Sequence, residues 1–316
     1  MVTDNKALNV INQFAEKNKE EGLRVFVAGG SRSGNDNIYV EEAYHLGQQI
    51  ANMEFKLDFG WSSAGIMGAV AKGVLDCWKE KNTIETPIQG ITTKEYYSLY
   101  ETDDVLEQIK DVIVAQTLEE RKQKLLNADF IVFAPGGVGT LDELAYDCVA
   151  MQDGFLQKKP FILYNINGFF HHIVEYLKSI SAEGFADPMP FIVVDDSNEL
   201  GIVFRLLKLR YKKGNTTQEV YASTRQLIYE LPYFIKMTQQ GHSIDEICEK
   251  IIDNSYHGTS EERQELANVI ERAYLEKEIE RMYDRLAKTG RDTAVVSDKL
   301  STLKRRKKEN YNFCPL

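Results

Sequence analysis

Cysteines and histidines are few, and they are not spaced as a disulfide framework or a metal centre would require. The 316 residues include four cysteines, at positions 77, 148, 248 and 314, and no Cys-x-x-Cys pair. The five histidines include no His-x-x-x-His spacing, and two of them, His171 and His172, are adjacent. We therefore expect reduced thiols, no disulfide framework and no metal site.

Long apolar runs and an excess of positive charge are also absent. No stretch approaches the roughly 20 apolar residues that span a membrane, and residues 1–6 contain no apolar signal-peptide core. The formal net charge is −10, so broad affinity for nucleic acid is not expected. These absences predict a cytoplasmic protein that needs no membrane and no nucleic-acid partner.

Short apolar runs alternate with stretches of helical periodicity. Such alternation is typical of an α/β fold, and we predict a Rossmann-like, doubly wound parallel sheet with helices on both faces. The predicted strands are residues 24–28, 55–59, 87–92, 130–134, 159–164 and 191–194. The predicted helices of this part include residues 5–21, 39–53, a segment after Gly68, and 117–127.

The stretch ADFIVFAPGGVGTLDEL, residues 128–144, is the centre of this pattern. Its first half is the buried strand 130–134, which Pro135-Gly136-Gly137 ends, and a helical pattern starts at Thr140. We expect Thr140 to cap that helix, and Leu141, Leu144, Ala145 and Cys148 to share one side of it. A glycine turn at a helix start offers free backbone N–H groups, which suit a phosphate.

Two acidic residues, Asp142 and Glu143, are expected in the first turn of the same helix. Acids at this position commonly do no more than complement the helix dipole. A carboxylate beside a phosphate site is also what glycosidic-bond chemistry requires. The residues alone leave both interpretations open.

Two further glycine-rich turns follow predicted strands, at residues 29–34 and 60–68. The loops at the carboxyl edge of a parallel sheet are where ligands bind in such folds. Three glycine turns at one edge therefore predict a single binding site there.

Four segments give the chain a family resemblance. VFVAGGSRSGNDNIYVEEAYHLGQQIA, FGWSSAGIMGAVAKG, LEERKQKLLNADFIVFAPGGVGTLDEL and KKPFILYNINGFFHHIVEYL occur in one order. Together they resemble the LONELY GUY family, whose members are often labelled "possible lysine decarboxylase". The resemblance covers residues 20–205 or so, and its PGGxGT-x-x-E element with an upstream Arg-Lys pair is specific.

The resemblance implies a fold, an activity and a set of site residues. The family is Rossmann-like, usually dimeric, and hydrolyses the N-glycosidic bond of nucleoside 5′-monophosphates to a free base and ribose 5-phosphate; plant members thereby activate cytokinins. It assigns catalysis to Arg121 and Glu143. The substrate-binding residues that it implies are Ser31, Gly65, Met67, Gly68, Lys122, Gly136, Gly137, Gly139 and Thr140.

The resemblance does not extend to the decarboxylase label or to every wall of the pocket. No lysine lies in a recognisable Schiff-base setting, so neither pyridoxal phosphate nor any other cofactor is expected. Where members commonly have three glycines, this chain has Gly60-Trp61-Ser62, which changes the pocket wall. A module that senses or carries nucleotides without turnover is therefore the alternative function, and the preferred base stays open.

Beyond the resemblance, residues 211–316 are predicted to be a helical extension of a catalytic domain at residues 1–210. Helices are expected at 216–240, 243–253 and from Thr259 towards Lys288, the last two opened by capping boxes at Ser243 and Thr259. Their apolar stripes must pack on the sheet domain or on another subunit. Because the resemblance implies dimers, we expect a homodimer or a larger homo-oligomer, with the helix from Thr259 stabilising it or covering the mouth of the pocket. A DNA-binding role for these helices is the weaker alternative. The basic run 304–308 is predicted to be a solvated tail.

Overall fold

The computed structural model describes residues 22–80, 87–99, 103–212 and 214–289. The predicted helix 5–21, Cys314 and the basic run 304–308 lie outside these residues. The other predicted elements fall within them.

One parallel sheet organises the chain. Within the described ranges it has seven strands in the order β4-β3-β2-β1-β5-β6-β7, and every neighbouring pair is parallel. The strands are β1 (Arg24–Ala28), β2 (Lys56–Phe59), β3 (Ile88–Thr93), β4 (Asp111–Ala115), β5 (Phe130–Phe133), β6 (Phe161–Tyr164) and β7 (Ile192–Val194). The predicted doubly wound α/β fold is thereby confirmed.

The sequence-based prediction missed strand β4. Its residues, Asp-Val-Ile-Val-Ala, are exposed or half-buried except for Ala115. The strand lies at the edge of the sheet, paired only with β3, from Gln89 opposite Asp111 to Thr93 opposite Ala115. The apolar, β-branched run at residues 112–115 was an available strand signal, and the partial exposure of these residues follows from their position at the edge.

Helices connect the strands and continue beyond the last one. They are α1 (Ile38–Asn52), α2 (Gly65–Glu80), α3 (Lys94–Leu99), α4 (Leu118–Leu125), α5 (Val138–Gln152), α6 (His171–Ala182), α7 (Ser197–Lys212), α8 (Thr217–Ala222), α9 (Thr224–Gln239), α10 (Ile244–Tyr256) and α11 (Ser260–Thr289). Right-handed crossovers place α1 and α2 on one face of the sheet and α5 and α6 on the other, because strand order runs in opposite directions from β1 and from β5.

The core lies along the central strands β1, β5 and β6, whose apolar side chains are almost fully buried. At their amino-terminal ends Phe55, Phe130 and Phe204 pack edge to face, with ring centroids 5.2 to 5.6 Å apart. This packing fixes the strands at one edge. The loops at the opposite, carboxyl edge are therefore held on a rigid support.

The described residues fall into two compact units, one up to Ile228 and the other from Tyr229. The prediction of one helix over residues 216–240 is wrong, because Ser223 ends α8 and a new helix begins at Thr224. Both predicted capping boxes are confirmed: Ser243 bonds with Glu246 and Thr259 with Glu262. A separate domain over residues 211–316 stays a prediction.

The second unit has its own buried side chains. Tyr229 of α9 packs against Tyr274 of α11 with ring centroids 5.3 Å apart, and Lys236 bonds to Glu276 at 2.8 Å. Ile247 of α10 is buried, as are Ile270 and Ala273 of α11. Among the described helices, none is both long and apolar enough to cross a membrane.

Candidate active site

The candidate site lies where the strand order reverses, between β1 and β5. The loop after β1 contains Gly30, and the loop after β5 contains Pro135 and Gly136. The backbone N–H of Gly30 donates to the carbonyl oxygen of Pro135 at 3.0 Å, so the two loops are joined directly. Ligands of doubly wound sheets bind in the crevice at this point.

The loop after β1 also supports the start of α2. The carbonyl of Gly30 accepts hydrogen bonds from the backbone N–H groups of Ile66 (2.9 Å) and Met67 (3.2 Å). Gly65 has a φ of +61°, and a Cβ there would lie 2.5 Å from the carbonyl carbon of Ser31. Only glycine fits this position. The predicted residues Ser31, Gly65 and Met67 are therefore brought together, with Ser31 exposed to solvent.

The PGGVGT loop leads into α5 earlier than predicted. The helix begins at Val138, and its N-cap is Gly137 in an extended conformation, without a side-chain cap. The expected capping role of Thr140 is therefore wrong. Asp142 and Glu143 lie in the second turn of the helix, not in the first. The extended backbone of Gly137 makes the transition from the loop to the helix, and no side chain caps the first turn.

Thr140 instead packs, largely buried, against the loop. A Cβ at Gly136 would lie 2.1 Å from the Thr140 hydroxyl oxygen, so the backbone can come this close only because residue 136 is glycine. At Gly137 and Gly139 an added Cβ would meet no atom within 4 Å. Open space thus faces the first turn of a 15-residue helix, where unpaired backbone N–H groups can bind an anion.

Arg121 of α4 is held by backbone carbonyl groups from the neighbouring strands. Its Nε donates to the carbonyl of Ile91 at 3.1 Å, and its Nη2 donates to the carbonyl of Gly60 at 3.2 Å. The guanidinium carbon lies 5.6 Å from the centroid of the Tyr96 ring. A Cβ at Gly60 would lie 2.4 Å from Nη2 and 3.2 Å from the sulfur of Met67. These contacts orient the guanidinium group at the carboxyl edge.

The remaining guanidinium nitrogen faces Glu143. Nη1 of Arg121 lies 3.7 Å from Oε1 of Glu143, and each side chain is only 14% exposed. Burial raises the pKa of Glu143 from 4.5 to about 7; the nearby Asp142 adds to this increase, while Arg121 and Lys122 oppose it. Near neutral pH this carboxyl group can therefore exchange its proton.

A second ion pair lies beside the first. Lys122 donates to Asp142 at 2.7 Å, and its ammonium group lies 4.7 Å from the centroid of the Tyr146 ring. The Lys122 side chain is 16% exposed, whereas Asp142 is 62% exposed. Lys122 is therefore paired with Asp142, and its substrate-binding role stays a prediction.

The predicted buried side of α5 is partly wrong. Leu144 and Cys148 are buried, but Leu141 and Ala145 are exposed. At 100° per residue the buried side of the helix centres on Thr140, Asp147 and Met151, so Leu141 lies at its border and Ala145 beyond it, towards solvent. Val138 and Val149 lie on the same outer face, 86% and 58% exposed.

Three contributors to the site were not recognised in the sequence. They are the carbonyl of Ile91, the ring of Tyr96 and the packing of Trp61, which stacks on Tyr97. The position of Tyr96, three residues after β3, was an available signal, because side chains that follow a parallel strand lie at the ligand-binding edge. A backbone carbonyl leaves no such signal.

The arrangement suits hydrolysis of a phosphorylated ligand. It combines an anion site at a helix start, a guanidinium group and a carboxyl group whose pKa is near neutrality. Among the described residues, no group of three or more His, Cys, Asp or Glu side chains could hold a metal ion. The buried amine of Lys159 donates to the carbonyls of Leu126 and Ala128 at the amino edge of the sheet, away from this site.

Comparison with known proteins finds a matching family and relatives among plant enzymes. The family model described as "Possible lysine decarboxylase" matches residues 67–200. The cytokinin riboside 5′-monophosphate phosphoribohydrolase LOG2 of Arabidopsis thaliana is 31% identical over 171 residues, which cover 54% of this chain and 75% of that protein. LOG7 of the same plant is 28% identical over 192 residues, covering 60% and 84%. The rice enzyme LOG is 29% identical over 185 residues, covering 58% and 72%.

Solved structures with a similar fold include the molybdenum cofactor carrier protein of Chlamydomonas reinhardtii. It is 20% identical, with a TM-score of 0.42, and the match covers 58% of this chain and 97% of that one. The molybdenum cofactor binding protein of Rippkaea orientalis is 18% identical, with a TM-score of 0.43 and coverage of 60% and 97%.

Proposed function

Because this chain belongs to the LONELY GUY family, we propose that it is a nucleoside 5′-monophosphate phosphoribohydrolase. It hydrolyses the N-glycosidic bond of AMP-like nucleotides, which include N6-substituted, cytokinin-type nucleotides, to a free base and ribose 5-phosphate. The observation that carries the proposal is the pairing of Arg121 with Glu143, 3.7 Å apart beside an open helix start.

In this proposal the 5′-phosphate binds at the start of α5. The backbone N–H groups after Gly137 point into the space that Gly137 and Gly139 leave open. The partial positive charge of the helix start favours a phosphate dianion there. Binding at that point fixes the ribose relative to Glu143, which follows one turn later on the same helix.

Bond cleavage places positive charge on the ribose and negative charge on the departing base. The carboxylate of Glu143 stabilises the ribosyl cation and orients the water that adds to C1′. The electrons of the C–N bond go to the base, whose charge Arg121 stabilises until the base takes up the proton released by that water. Hydroxide is thus added to the sugar and a proton to the base.

The direct experiment is a product assay with purified protein. We expect free base from a panel of AMP, N6-prenylated AMP, GMP, CMP and UMP, measured by chromatography, with AMP-like nucleotides preferred. The matched controls are Arg121→Ala and Glu143→Gln. Binding of every nucleotide without release of base would instead support a nucleotide-carrying module.

The proposed enzyme is a cytoplasmic homodimer or a larger homo-oligomer. The outer face of α5 carries exposed apolar residues that a second subunit would cover, namely Val138, Leu141 and Val149. Among the described residues, Cys77, Cys148 and Cys248 form no disulfide.

A further inference from the structure

Trp61 has a backbone conformation that a bulky residue rarely adopts. Its φ is +64°, in the left-handed region, and only 2% of the residue is exposed. This conformation is strained for a residue other than glycine. Glycine would adopt this conformation without strain, so the contacts of the tryptophan ring must account for a tryptophan at this position.

The Trp61 ring lies between two parts of the carboxyl edge. It stacks on Tyr97, with centroids 5.6 Å apart and planes 17° apart, and it contacts Phe59 at the end of β2. On β3 it covers Gly90, where an added Cβ would lie 2.2 Å from the ring. Among the residues that the structure describes, the buried indole Nε1 has no hydrogen-bond partner. Packing of the ring, not a hydrogen bond, therefore accounts for its position.

The two backbone segments that this ring contacts are the ones that hold Arg121. Gly60, whose carbonyl accepts from Nη2, directly precedes Trp61. Ile91, whose carbonyl accepts from Nε, directly follows Gly90. The ring thus lies against Phe59, which precedes Gly60, and against Gly90, which precedes Ile91. A shift of the ring would therefore move both carbonyls.

We propose that Trp61 is a positioning residue for Arg121. By packing between the end of β2 and Gly90, its ring fixes the carbonyls of Gly60 and Ile91 in space. These carbonyls engage Nε and Nη2, which leaves Nη1 directed at Glu143. The inference rests on the proposed function only for its effect on turnover, because the geometry of the Arg121–Glu143 pair can be measured without substrate.

The first test is a carboxyl titration followed by ¹³C NMR of protein labelled at glutamate. The Glu143 signal is assigned as the one missing from Glu143→Gln. Trp61→Gly relieves the backbone strain and removes the ring, so the guanidinium group is no longer fixed and attracts the carboxylate less. We expect the Glu143 midpoint to rise by about half a pH unit. Trp61→Phe keeps an aromatic ring and should leave the midpoint near its wild-type value.

Two further variants separate positioning from loss of stability. Gly90→Ala pushes the ring away from β3 and should raise the midpoint as Trp61→Gly does. Phe204→Ala removes a buried ring from the cluster at the amino edge and should lower the melting temperature without moving the midpoint. A midpoint that stays at the wild-type value in folded Trp61→Gly and Gly90→Ala would overturn the proposal.

Turnover supplies the second test. Trp61→Gly should lower kcat for AMP about tenfold with little change in KM, because the glycine loop that binds the phosphate is intact. Trp61→Phe should restore kcat. If wild-type protein releases no base, the proposed function fails, whereas the titration still decides the role of Trp61. If KM rises and kcat is unchanged, Trp61 contacts the substrate instead, and the positioning role is wrong.

Discussion

The central interaction at the residue scale is the buried ion pair of Arg121 and Glu143, in which Arg121 offsets the negative charge of Glu143 only in part. Arg121 donates to two carbonyls and approaches Glu143 only to 3.7 Å, beyond hydrogen-bond distance. Because the guanidinium group is shared among three acceptors, its attraction does not offset the cost of burying the carboxylate, and the pKa of Glu143 is about 7. This is the pKa range of a group that works at neutral pH.

The first prediction concerns the charge of Glu143. Glu143→Gln keeps the size of the side chain and removes the carboxylate, so kcat for AMP should fall by about two to four orders of magnitude. The Kd for AMP, measured by calorimetry, should stay within a few-fold of wild type because the phosphate site is untouched. Asp142→Asn is the matched control, since that carboxylate is mostly exposed and should leave kcat nearly unchanged. Near-normal turnover in Glu143→Gln would remove Glu143 from the mechanism.

The second prediction concerns pH. Glu143 acts as a carboxylate in the proposed mechanism, so kcat/KM should increase as pH rises and level off above an apparent pKa of about 7. The second ionisation of the substrate phosphate, near pH 6, also contributes. The pH dependence of the residual activity of Glu143→Gln should therefore reflect only the ionisation of the substrate phosphate. A wild-type profile that coincides with that of the variant would contradict the assignment.

The third prediction concerns a buried carboxyl group outside the proposed mechanism. Asp147 is fully buried, and within the described part of the chain neither of its oxygens has a hydrogen-bond partner. Burial raises its pKa to about 7, although Lys159 opposes the shift. Its folded-state pKa exceeds the unfolded value, so ionisation destabilises the fold as pH rises from about 4 to about 7. Asp147→Asn should raise the free energy of unfolding at pH 8 by about 2 kcal/mol, and by little at pH 4. Urea titrations at both pH values measure this, and a loss of stability at pH 8 would show that the charge is needed.

The resemblance of the sequence to the LONELY GUY family indicated Arg121 and Glu143, but the sequence could not indicate what holds them. The acceptors of Arg121 lie 30 and 61 residues away along the chain, and both are backbone carbonyls. Any residue type supplies such a group, so no sequence pattern marks it. The left-handed conformation of Trp61 also has no sequence signal, because a bulky residue rarely adopts it.

At the scale of elements, the start of α5 shows how a glycine-rich stretch misleads. Glycines at 136, 137 and 139 indicated a turn that would last until Thr140. The helix nevertheless begins at Val138, because Gly137 alone makes the change from extended to helical backbone. The helix consequently includes Gly139, whose weak helix propensity is tolerated where space for a ligand is kept.

The fourth prediction uses this conflict between propensity and space. Gly139→Ala should stabilise the protein by up to about 1 kcal/mol, because alanine is the better helix former and the added methyl group meets no protein atom. The same methyl group would occupy the space proposed for the phosphate, so the KM for AMP should rise about tenfold or more. Adenosine, which lacks the phosphate, is the control, and its weak turnover should be unchanged. Equal effects on AMP and adenosine would mean that this loop does not bind the phosphate.

At the scale of the whole molecule, the sheet was predictable and its surface was not. Burial on both faces gives the central strands an apolar signature that is visible in the sequence, but the edge strand β4 has a similar apolar run at residues 112–115 although it is mostly exposed or half-buried. On α5, exposed Val138 and Val149 cannot be told from core residues by periodicity alone, because apolar residues surround most of the helix.

The last prediction follows from that outer face of α5. Val138, Leu141, Ala145 and Val149 occur at i, i+3, i+7 and i+11, which aligns them along one side of the helix, all exposed. An apolar stripe of this kind is typical of a subunit interface. Wild-type protein should therefore have at least twice the mass of one chain by light scattering, and Ala145→Arg combined with Val149→Arg should reduce it to one chain. Both positions are exposed, so the variant should keep its melting temperature apart from any contribution of the interface.

Tyr176→Arg, at an exposed aromatic residue of α6, is the control and should keep the oligomer. Wild-type protein that is monomeric at micromolar concentration would leave the stripe without a second subunit to cover it.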